Sequence, residues 1–386
     1  MVRAGVALLV GLALAAAAAA APRPAPATSC GLLSDVEPAW ALSERALLFT
    51  RQRAYGAVSS VYKIAADGRH LRRLTPLGEY AYGGAWSADG TRVAYTTFDL
   101  AAVARIVVAR ADGTGAQVVA WFQGMRYPPA TFVTWSPTGE LAYVDFDGDL
   151  RTPSRLLARG ATQPAWSPDG TRIAYVGARG ITIADADGRN ARVIADGGEP
   201  AWSPDGTRIA YTAAPGVGVH VVSADGSGDE LVDAKATRPR WTPDGRHVVD
   251  VLYVGRGMAH NAIRVADLST GRVRTVTHDA SLFYGSDDVQ PAVGPNGTIA
   301  FAAEPQFSSS ELRFVRLDGP NERRLTYHCV RLDENAGTAI YGTWLPDVID
   351  ARNRFRDTVS CGAGHDVVYA DSRDHVGRGC EVVQRR

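Results

Sequence analysis

One stretch of twelve residues occurs twice, letter for letter, and decides the fold of this chain. Residues 164–175 read PAWSPDGTRIAY, and residues 200–211 repeat all twelve letters. The Pro-Asp-Gly segment is a turn signal, because proline presets φ and glycine accepts the positive φ that ends the turn. Ile173 and Tyr175 then alternate with small or polar residues, which is the period of a β-strand. Each copy is therefore predicted to form a β-hairpin.

Less regular copies of this hairpin lie on both sides of the identical pair. They read PAWALSERALLF at 38–49, GAWSADGTRVAY at 84–95, VTWSPTGELAY at 133–143, PRWTPDGRHVVD at 239–250 and PAVGPNGTIAF at 291–301. A second Asp-Gly turn recurs downstream, as in IADADG at 183–188 and VVSADG at 221–226. Each unit thus holds four short strands, and four antiparallel strands about every 40 residues form the blade of a β-propeller. The sequence predicts an all-β protein with about seven four-stranded blades; six blades are the alternative.

The W-S-P-D-G-x-R-I-A-Y hairpin, followed by Asp-Gly and Leu-Thr, resembles the repeat of TolB-like β-propellers. The same repeat builds the propeller domain of prolyl-oligopeptidase-like enzymes, and the resemblance covers residues 36–327. It implies a propeller ring but no single function, since the fold hosts many activities. Those peptidases carry a Ser-Asp-His triad on a separate α/β domain with a G-x-S-x-G motif. This chain has no G-x-S-x-G, and residues 328–386 are too few for such a domain, so the resemblance does not imply peptidase activity.

Charge and composition exclude several classes of protein. The 41 Lys and Arg residues balance 41 Asp and Glu residues, which argues against a nucleic-acid partner that needs a basic excess. A hydrophobic share of 46%, together with 40 glycines and 21 prolines, excludes a disordered chain or a coiled coil. The eight histidines form no H-x-H or H-E-x-x-H cluster, so a dedicated zinc site has no support.

The first residues have the pattern of an export signal. Arg3 precedes an uncharged apolar run from Val6 to Ala21 that ends in small residues. This pattern predicts a signal peptide and processing region at 1–27, so the mature protein is expected to be secreted or extracytoplasmic, in the cell envelope or periplasm. A membrane anchor is the alternative for the apolar run, and lipidation of Cys30 is a further alternative.

The connections between strands indicate where a partner binds. The tight Asp-Gly turns hardly vary in length, whereas the connections at the other end of the blades do, and we call that end the variable-loop face. Variable loops on a rigid scaffold commonly carry binding residues, so we expect a ligand near the channel mouth there. Packing of these aromatics over the blade ends is the alternative. The candidate ligand-binding residues lie in the loops 77–83, 122–131 and 278–289, and they are Tyr80, Tyr82, Arg126, Tyr127, Tyr284, Asp287 and Asp288.

Three alternating carboxylates in the shortest unit superficially resemble a calcium loop. Asp145, Asp147 and Asp149 lie in DFDGDL. An EF-hand loop needs glycine at position six and glutamate at position twelve, where this segment has Leu150 and Leu156. The sequence therefore predicts a tight hairpin at this point rather than a metal site.

Residues 328–386 form a tail with a different pattern. The segment CGAGHDVVY at 361–369 resembles the calcium-binding nonapeptide of haemolysin-type (RTX-like) β-rolls, and D-x-U cores recur at Asp347, Asp357, Asp366 and Asp374. The spacing is close to a nine-residue coil. The resemblance implies a short β-roll with Ca²⁺ as its candidate cofactor, held by Asp357, Gly362, Gly364 and Asp366. Three arginines within 352–356 repel a cation, so a capping coil closed by a disulfide is the alternative.

The four cysteines of an exported chain favour disulfide bonds. Cys30 precedes the first unit and Cys329 follows the last, and a propeller ring brings these two positions together. We therefore predict a Cys30–Cys329 bond across the ring and a Cys361–Cys380 bond in the tail. A free thiol at Cys30 is the alternative.

These features together favour a secreted, non-catalytic binding or scaffold protein with a TolB-like propeller and a β-roll-like tail. Its expected partner is a cell-envelope or extracellular protein, a peptide or a glycan, bound on the variable-loop face. An enzyme acting on a glycan or peptide at the propeller channel is one alternative. A calcium-dependent surface protein is the other. No cofactor besides Ca²⁺ and no membrane-spanning segment of the mature protein are expected.

Overall fold

The structure, a computed structural model, is all-β in the residues it describes. These are residues 33–41, 46–53, 59–67, 70–76, 80–99, 103–123, 133–216, 218–252, 262–277, 291–303, 311–324, 329–331, 339–341, 348–350, 358–360, 367–377, 380 and 382–385.

Seven antiparallel four-stranded sheets follow one another along the chain, each built from four consecutive strands, and they are blades 1 to 7. Blade 1 comprises β1 (Leu33–Trp40), β2 (Ala46–Arg53), β3 (Ser59–Ala65) and β4 (Arg72–Arg73). Blade 2 comprises β5 (Tyr80–Trp86), β6 (Arg92–Phe98), β7 (Val103–Arg110) and β8 (Gln117–Gln123). Blade 3 comprises β9 (Val133–Trp135), β10 (Leu141–Val144), β11 (Leu150–Arg151) and β12 (Leu156–Ala158).

The remaining blades have the same order of strands. Blade 4 comprises β13 (Thr162–Trp166), β14 (Arg172–Gly177), β15 (Gly180–Asp185) and β16 (Arg192–Ala195). Blade 5 comprises β17 (Gly197–Trp202), β18 (Arg208–Ala213), β19 (Val219–Ser223) and β20 (Glu230–Asp233). Blade 6 comprises β21 (Ala236–Trp241), β22 (His247–Leu252), β23 (Ala262–Asp267) and β24 (Arg272–Thr275), and blade 7 comprises β25 (Ala292–Val293), β26 (Thr298–Ala303), β27 (Glu311–Arg316) and β28 (Gly319–Arg324). The predicted seven-bladed propeller is confirmed.

The first strand of each blade is its innermost strand. The strand β1 contacts β5, and the contacts continue through β9, β13, β17, β21 and β25 back to β1. The seven first strands therefore form a closed ring around a central channel, and the fourth strands form the outer edge. The first strands of blades 2 to 7 each follow a blade-to-blade connection and precede a tight turn that contains glycine. They therefore run from the variable-loop face to the opposite end, which we call the tight-turn face.

The tight turns owe their uniformity to one hydrogen-bond network. In blade 5 the Ser203 hydroxyl donates to Asp205 Oδ1 at 2.6 Å, and the backbone N–H of Thr207 donates to the same oxygen at 3.0 Å. The backbone N–H of Arg208 donates to Ser203 Oγ at 2.9 Å, which closes the turn. The Ser203 hydroxyl, followed by the Thr207 donors, lowers the pKa of Asp205 to about 2, because these bonds favour the carboxylate. The repeated Ser-Pro-Asp-Gly-Thr letters thus encode a self-contained cap.

The ring closes without strand exchange in the described residues. Every strand of blade 1 comes from the first unit, and every strand of blade 7 comes from the last. The closure instead relies on side chains. The indole N–H of Trp40 donates to the carbonyl of Ala292 at 3.0 Å, and its ring stacks on Phe314 with centroids 5.2 Å apart. Cys30 lies outside the described residues, so the Cys30–Cys329 bond stays a prediction.

The tail winds through two parallel sheets. One holds β29 (Cys329–Arg331), β31 (Val348–Asp350), β33 (Val367–Ala370) and β35 (Val382–Arg385), and the other holds β30 (Ala339–Tyr341), β32 (Thr358–Ser360) and β34 (His375–Val376). The strands β31 to β34 each begin directly after the aspartate of a D-x-U core. Val348 pairs with Val367, nineteen residues later, so the nine-residue unit is half a coil rather than the predicted whole coil. The D-x-U valines Val359 and Val368 are fully buried.

Candidate functional site

The first strands, which form the channel wall, contain β-bulges that no sequence pattern predicts. Most of the described first strands carry a β-bulge three residues before the tryptophan position. The bulge residue adopts a positive φ, which is uncommon for residues other than glycine. The residues are Glu37, Gly83, Gln163, Glu199 and Arg238, with φ between 51° and 61°. Such conformations persist only where surrounding contacts hold them in place.

Contacts between neighbouring blades hold these bulges. Glu37 Oε2 accepts a hydrogen bond from the backbone N–H of Gly83 at 2.9 Å and another from the Thr50 hydroxyl at 2.7 Å. In the same way, Glu199 Oε2 accepts from the backbone N–H of Arg238 at 2.8 Å. The bulge side chains Glu37, Gln163 and Glu199 therefore each fix the bulge of the next blade, and this part of the channel wall is a preorganised surface rather than a set of independent strands.

A pocket of about 350 Å³ lies in this wall, at its tight-turn end. Blades 3, 4, 5 and 6 contribute to it. Most of its lining residues are apolar, including prolines and two tryptophans, and the others are polar. The lining residues are Thr134, Trp135, Pro137, Gln163, Pro164, Ala165, Trp166, Ser167, Pro168, Glu199, Pro200, Ala201 and Arg240. An apolar pocket with few convergent polar groups is the usual form of a ligand site.

Hydrogen bonds and an ion pair hold the polar residues of the pocket in place. The amide oxygen of Gln163 accepts from the backbone N–H of Glu199 at 2.7 Å. Arg238 Nε lies 3.5 Å from Glu199 Oε1, and Nη1 of Arg240 donates to the carbonyl of Pro239 at 2.8 Å. Burial lowers the pKa of the Arg240 guanidinium, and the carboxylate of Glu199 opposes this shift. The pocket thus combines hydrogen-bonding groups and fixed charges with a mostly apolar lining.

Arg240 is unusual for its place in the repeat. It immediately precedes the tryptophan of blade 6, where the other six units have alanine or threonine: Ala39, Ala85, Thr134, Ala165, Ala201 and Ala292. Sequence reasoning missed Gln163, Glu199 and Arg240 as channel residues. Arg240 could have been identified from the sequence, because the other six units have a small residue at its position. Gln163 and Glu199 stand three residues before a tryptophan and carry no such signal.

The structure describes two of the predicted ligand-binding residues. Tyr80 and Tyr82 lie in β5 and are half-buried, so their placement in a loop spanning 77–83 is wrong. The bulge between Tyr82 and Ala85 interrupts the alternation of the strand, which made its first half look like a loop. Both tyrosines lie at the end of the channel opposite the pocket. Arg126, Tyr127, Tyr284, Asp287 and Asp288 lie outside the described residues, so the binding role of this set stays a prediction.

The carboxylates of DFDGDL form the predicted hairpin. Asp145 Oδ1 accepts from the backbone N–H groups of Asp147 at 3.0 Å and Asp149 at 2.9 Å. Arg151 forms ion pairs with Asp145 and Asp149. The carboxylates of Asp145 and Asp149 are therefore occupied by turn hydrogen bonds and a guanidinium.

Within the part of the chain that the structure describes, no three His, Cys, Asp or Glu residues form a group that could hold a metal ion. The predicted calcium ligands Asp357, Gly362, Gly364 and Asp366 lie outside that part, so calcium binding stays a prediction. Cys380 takes part in a disulfide bond, whereas its predicted partner Cys361 is outside the described residues. No described helix is long and apolar enough to cross a membrane.

Comparison with known proteins agrees with this architecture. The sequence model of the TolB β-propeller domain matches residues 105–337, which is more than half of the chain, and the chain belongs to that family. A protein TolB homolog of Chlorobium luteolum is 32% identical over 131 residues, which cover 31% of this chain and 29% of that protein. The chain therefore matches less than a third of the length of that relative.

Two solved structures share the fold. A puromycin-hydrolyzing peptidase of Mycobacterium tuberculosis superposes with a TM-score of 0.58 and 13% identity, covering 84% of this chain and 64% of its own. An oligogalacturonate lyase in complex with manganese superposes with a TM-score of 0.54 and 14% identity, covering 74% of this chain and 90% of its own. At such low identity the likeness shows the propeller fold alone.

Proposed function

We propose that this protein is an extracytoplasmic, non-catalytic binding protein that holds a segment of a cell-envelope protein in the channel of its propeller. Membership of the TolB β-propeller family supports a binding role. The export pattern of residues 1–27 supports the location. The proposal therefore concerns where and how a partner is held, and it assigns no reaction to the channel.

The channel pocket is the observation that carries this proposal. Its volume of about 350 Å³ lies within the range of about 300–1,000 Å³ typical of ligand sites. Four different blades contribute to it, and binding groups on strands are held more precisely than groups on loops. The prolines and tryptophans offer rigid contact area, while Gln163, Glu199 and Arg240 supply polar groups that orient a ligand. A single side chain or short peptide segment fits such a pocket.

A capture experiment with a matched pair of variants tests the proposal. Ala165→Arg would fill the pocket with a long side chain, and the repeat tolerates arginine there because Arg240 occupies the equivalent position in blade 6. Ala85→Arg makes the same change in blade 2, away from the pocket. Purified wild type is expected to retain a specific protein from solubilised envelope extracts. Ala165→Arg is expected to lose it, and Ala85→Arg is expected to keep it.

A double variant, compared with Ala165→Arg, shows at which end of the channel the partner binds. Tyr80→Ser together with Tyr82→Ser alters the variable-loop end, where the sequence predicts the ligand. If only this double variant lost the captured protein, the site would lie at the variable-loop face. If neither the tyrosine variant nor Ala165→Arg lost it, binding in the channel would be contradicted.

A further inference from the structure

Two kinds of contact fasten a blade to the one before it. In the first, the tryptophan of the repeat donates its indole N–H to a carbonyl of the preceding blade, as Trp202 does to Ala165 at 2.9 Å. In the second, an arginine of the preceding blade lies over the tryptophan ring, as Arg172 does over Trp202 at 4.8 Å from the centroid. We call the interface between two neighbouring blades a seam. The seam between blades 5 and 6 has both contacts: the indole N–H of Trp241 donates to the carbonyl of Ala201, and Arg208 lies over the Trp241 ring.

The seams of blade 3 lack these contacts in part or in full. Trp135 keeps a cation over its ring, since Arg92 lies 4.5 Å from the centroid. The buried indole N–H groups of Trp135 and Trp166, however, have no acceptor among the residues that the structure describes. Trp166 also has no described cation over its ring. Glu140 stands at the arginine position of blade 3, and its carboxylate pairs with Arg155 at 2.9 Å instead.

A comparison of blades 4 and 5 shows why one tryptophan indole has a hydrogen-bond acceptor and the other does not. Trp166 and Trp202 belong to the two identical twelve-residue copies, and each is 8% exposed. Their own sequences therefore cannot account for the difference. It arises from the blade before each of them, which is the irregular blade 3 in one case and the regular blade 4 in the other. A buried N–H without an acceptor opposes folding, whereas a paired one supports it.

Blade 3 is also the least extensive sheet of the ring. Its strands β9, β11 and β12 span three, two and three residues. Fewer ladder hydrogen bonds and fewer packed side chains lower the free energy of local opening. A side-chain hydrogen bond from blade 3 to blade 4 is exposed to solvent: Arg155 Nη2 donates to the carbonyl of Ala186 at 3.1 Å.

The ring closure and the seam between blades 6 and 7 depart from the regular pattern in other ways. At the ring closure Trp40 pairs with Ala292 and stacks on Phe314. Blade 7 has Val293 in place of a tryptophan, and an apolar cluster that includes Val251, Ile299 and Phe301 fills its seam with blade 6. A comparable apolar cluster joins blade 3 to blade 4, so blade 3 differs from the other blades in its short strands and in the indole N–H groups at its seams that have no described acceptor.

We propose that blade 3 is the segment at which this ring opens first, ahead of the closure where its two ends meet. Thr134 and Trp135 of blade 3 form one wall of the channel pocket. Opening at blade 3 therefore widens the pocket, and the blade acts as its gate. This inference concerns the free protein and holds whichever partner the channel takes.

Hydrogen exchange followed by mass spectrometry tests the proposal on the full-length mature protein. The second strands of blades 3, 5 and 7 are matched probes, because each lies inside its sheet: β10, β18 and β26. We expect amides of β10 to exchange at least about tenfold faster than those of β18 and β26, the ratio that a difference of about 1.4 kcal/mol produces. Equal protection of the three strands, or fastest exchange in β26, would overturn the proposal.

Two variants separate the missing contacts from the mere shortness of the blade. Trp202→Phe removes a hydrogen-bonded indole, so exchange in β18 is expected to accelerate towards that of β10. Trp166→Phe removes an indole N–H that has no acceptor, so exchange in β10 is expected to stay the same. Unchanged or slower exchange in β18 of Trp202→Phe, or much faster exchange in β10 of Trp166→Phe, would contradict the role given to these contacts.

Discussion

The seam that closes the ring and the seam between blades 3 and 4 are held in opposite ways. At the closure no strand crosses from one blade to the other, yet Trp40 is hydrogen-bonded to Ala292 and stacked on Phe314. Between blades 3 and 4 the chain is continuous, yet Trp166 lacks both a described acceptor and a described cation. Chain connectivity is therefore a poor guide to where a propeller is strong. The side chains that cross each seam decide it.

The largest effect is expected at the closure. Trp40→Ala removes an indole that fills the seam and its hydrogen bond to Ala292, and large-to-small changes of this kind cost about 3–5 kcal/mol. We expect the free energy of unfolding, measured by chemical denaturation, to fall by about that amount. Trp121→Ala is the control, because Trp121 is 66% exposed on the outer strand β8 and should change stability by less than about 0.5 kcal/mol. Equal, small effects of both substitutions would contradict a closure held by Trp40.

The seam between blades 5 and 6 contains a buried carboxyl group, Asp250, that is expected to make the free energy of unfolding depend on pH. Asp250 occupies the position that is aromatic in the other six units: Phe49, Tyr95, Tyr143, Tyr175, Tyr211 and Phe301. It is fully buried, faces Asp233 of blade 5, and lies 3.5 Å from Arg264 Nε, while Arg264 also pairs with Asp233. Burial, followed by repulsion from Asp233, raises the pKa of Asp250 from 3.8 to about 7.

The sign of the pH effect follows from this raised pKa. The folded protein binds a proton at Asp250 more tightly than the unfolded chain does, so stability falls as pH rises from about 4 to about 7. We expect the free energy of unfolding to decrease by about 2–3 kcal/mol from pH 5 to pH 8, at about 1.4 kcal/mol per pKa unit. Asp250→Asn should flatten this dependence. If the variant kept the full pH slope, another group would be responsible.

A smaller effect is expected from the cations over the tryptophans. Arg172→Met removes the guanidinium over Trp202 and its 2.9 Å hydrogen bond to the carbonyl of Gly206. We expect a loss of about 1–2 kcal/mol, since each of these contacts contributes about 1 kcal/mol. Glu140→Gln alters the equivalent position of blade 3, where no described contact with Trp166 exists, and should cost less than about 0.5 kcal/mol. Equal losses of unfolding free energy in the two variants would contradict the claim that the seam between blades 4 and 5 has a stabilising cation that the seam between blades 3 and 4 lacks.

The blades were predictable because each is encoded locally. The Pro-Asp-Gly turn, its serine and threonine, and the alternation in β14 and β18 all lie within twelve residues. Four of the described tail strands, β31 to β34, were predictable for the same reason, since each follows the aspartate of a D-x-U core. The strand start at Tyr80 was missed because a bulge breaks the alternation that identifies strands.

The contacts between blades were not predictable from one sequence. Trp166 and Trp202 are indistinguishable in their own repeats, and only the packed neighbour shows which indole has an acceptor. The ion group around Asp250 joins residues from three strands of two blades, so no local pattern indicates it. The pocket at Gln163, Glu199 and Arg240 has the same origin, because its residues converge only when the first strands form a ring.

The free energies of unfolding of Trp166→Phe and Trp202→Phe test most directly whether the preceding blade decides how firmly a seam is held. The two changes are made in identical stretches of twelve residues with equally buried side chains. We predict that Trp202→Phe is the more destabilising by about 1–2 kcal/mol, because it leaves the carbonyl of Ala165 unpaired, whereas Trp166→Phe removes an N–H that has no described acceptor. Equal losses, or a larger loss for Trp166→Phe, would contradict the account.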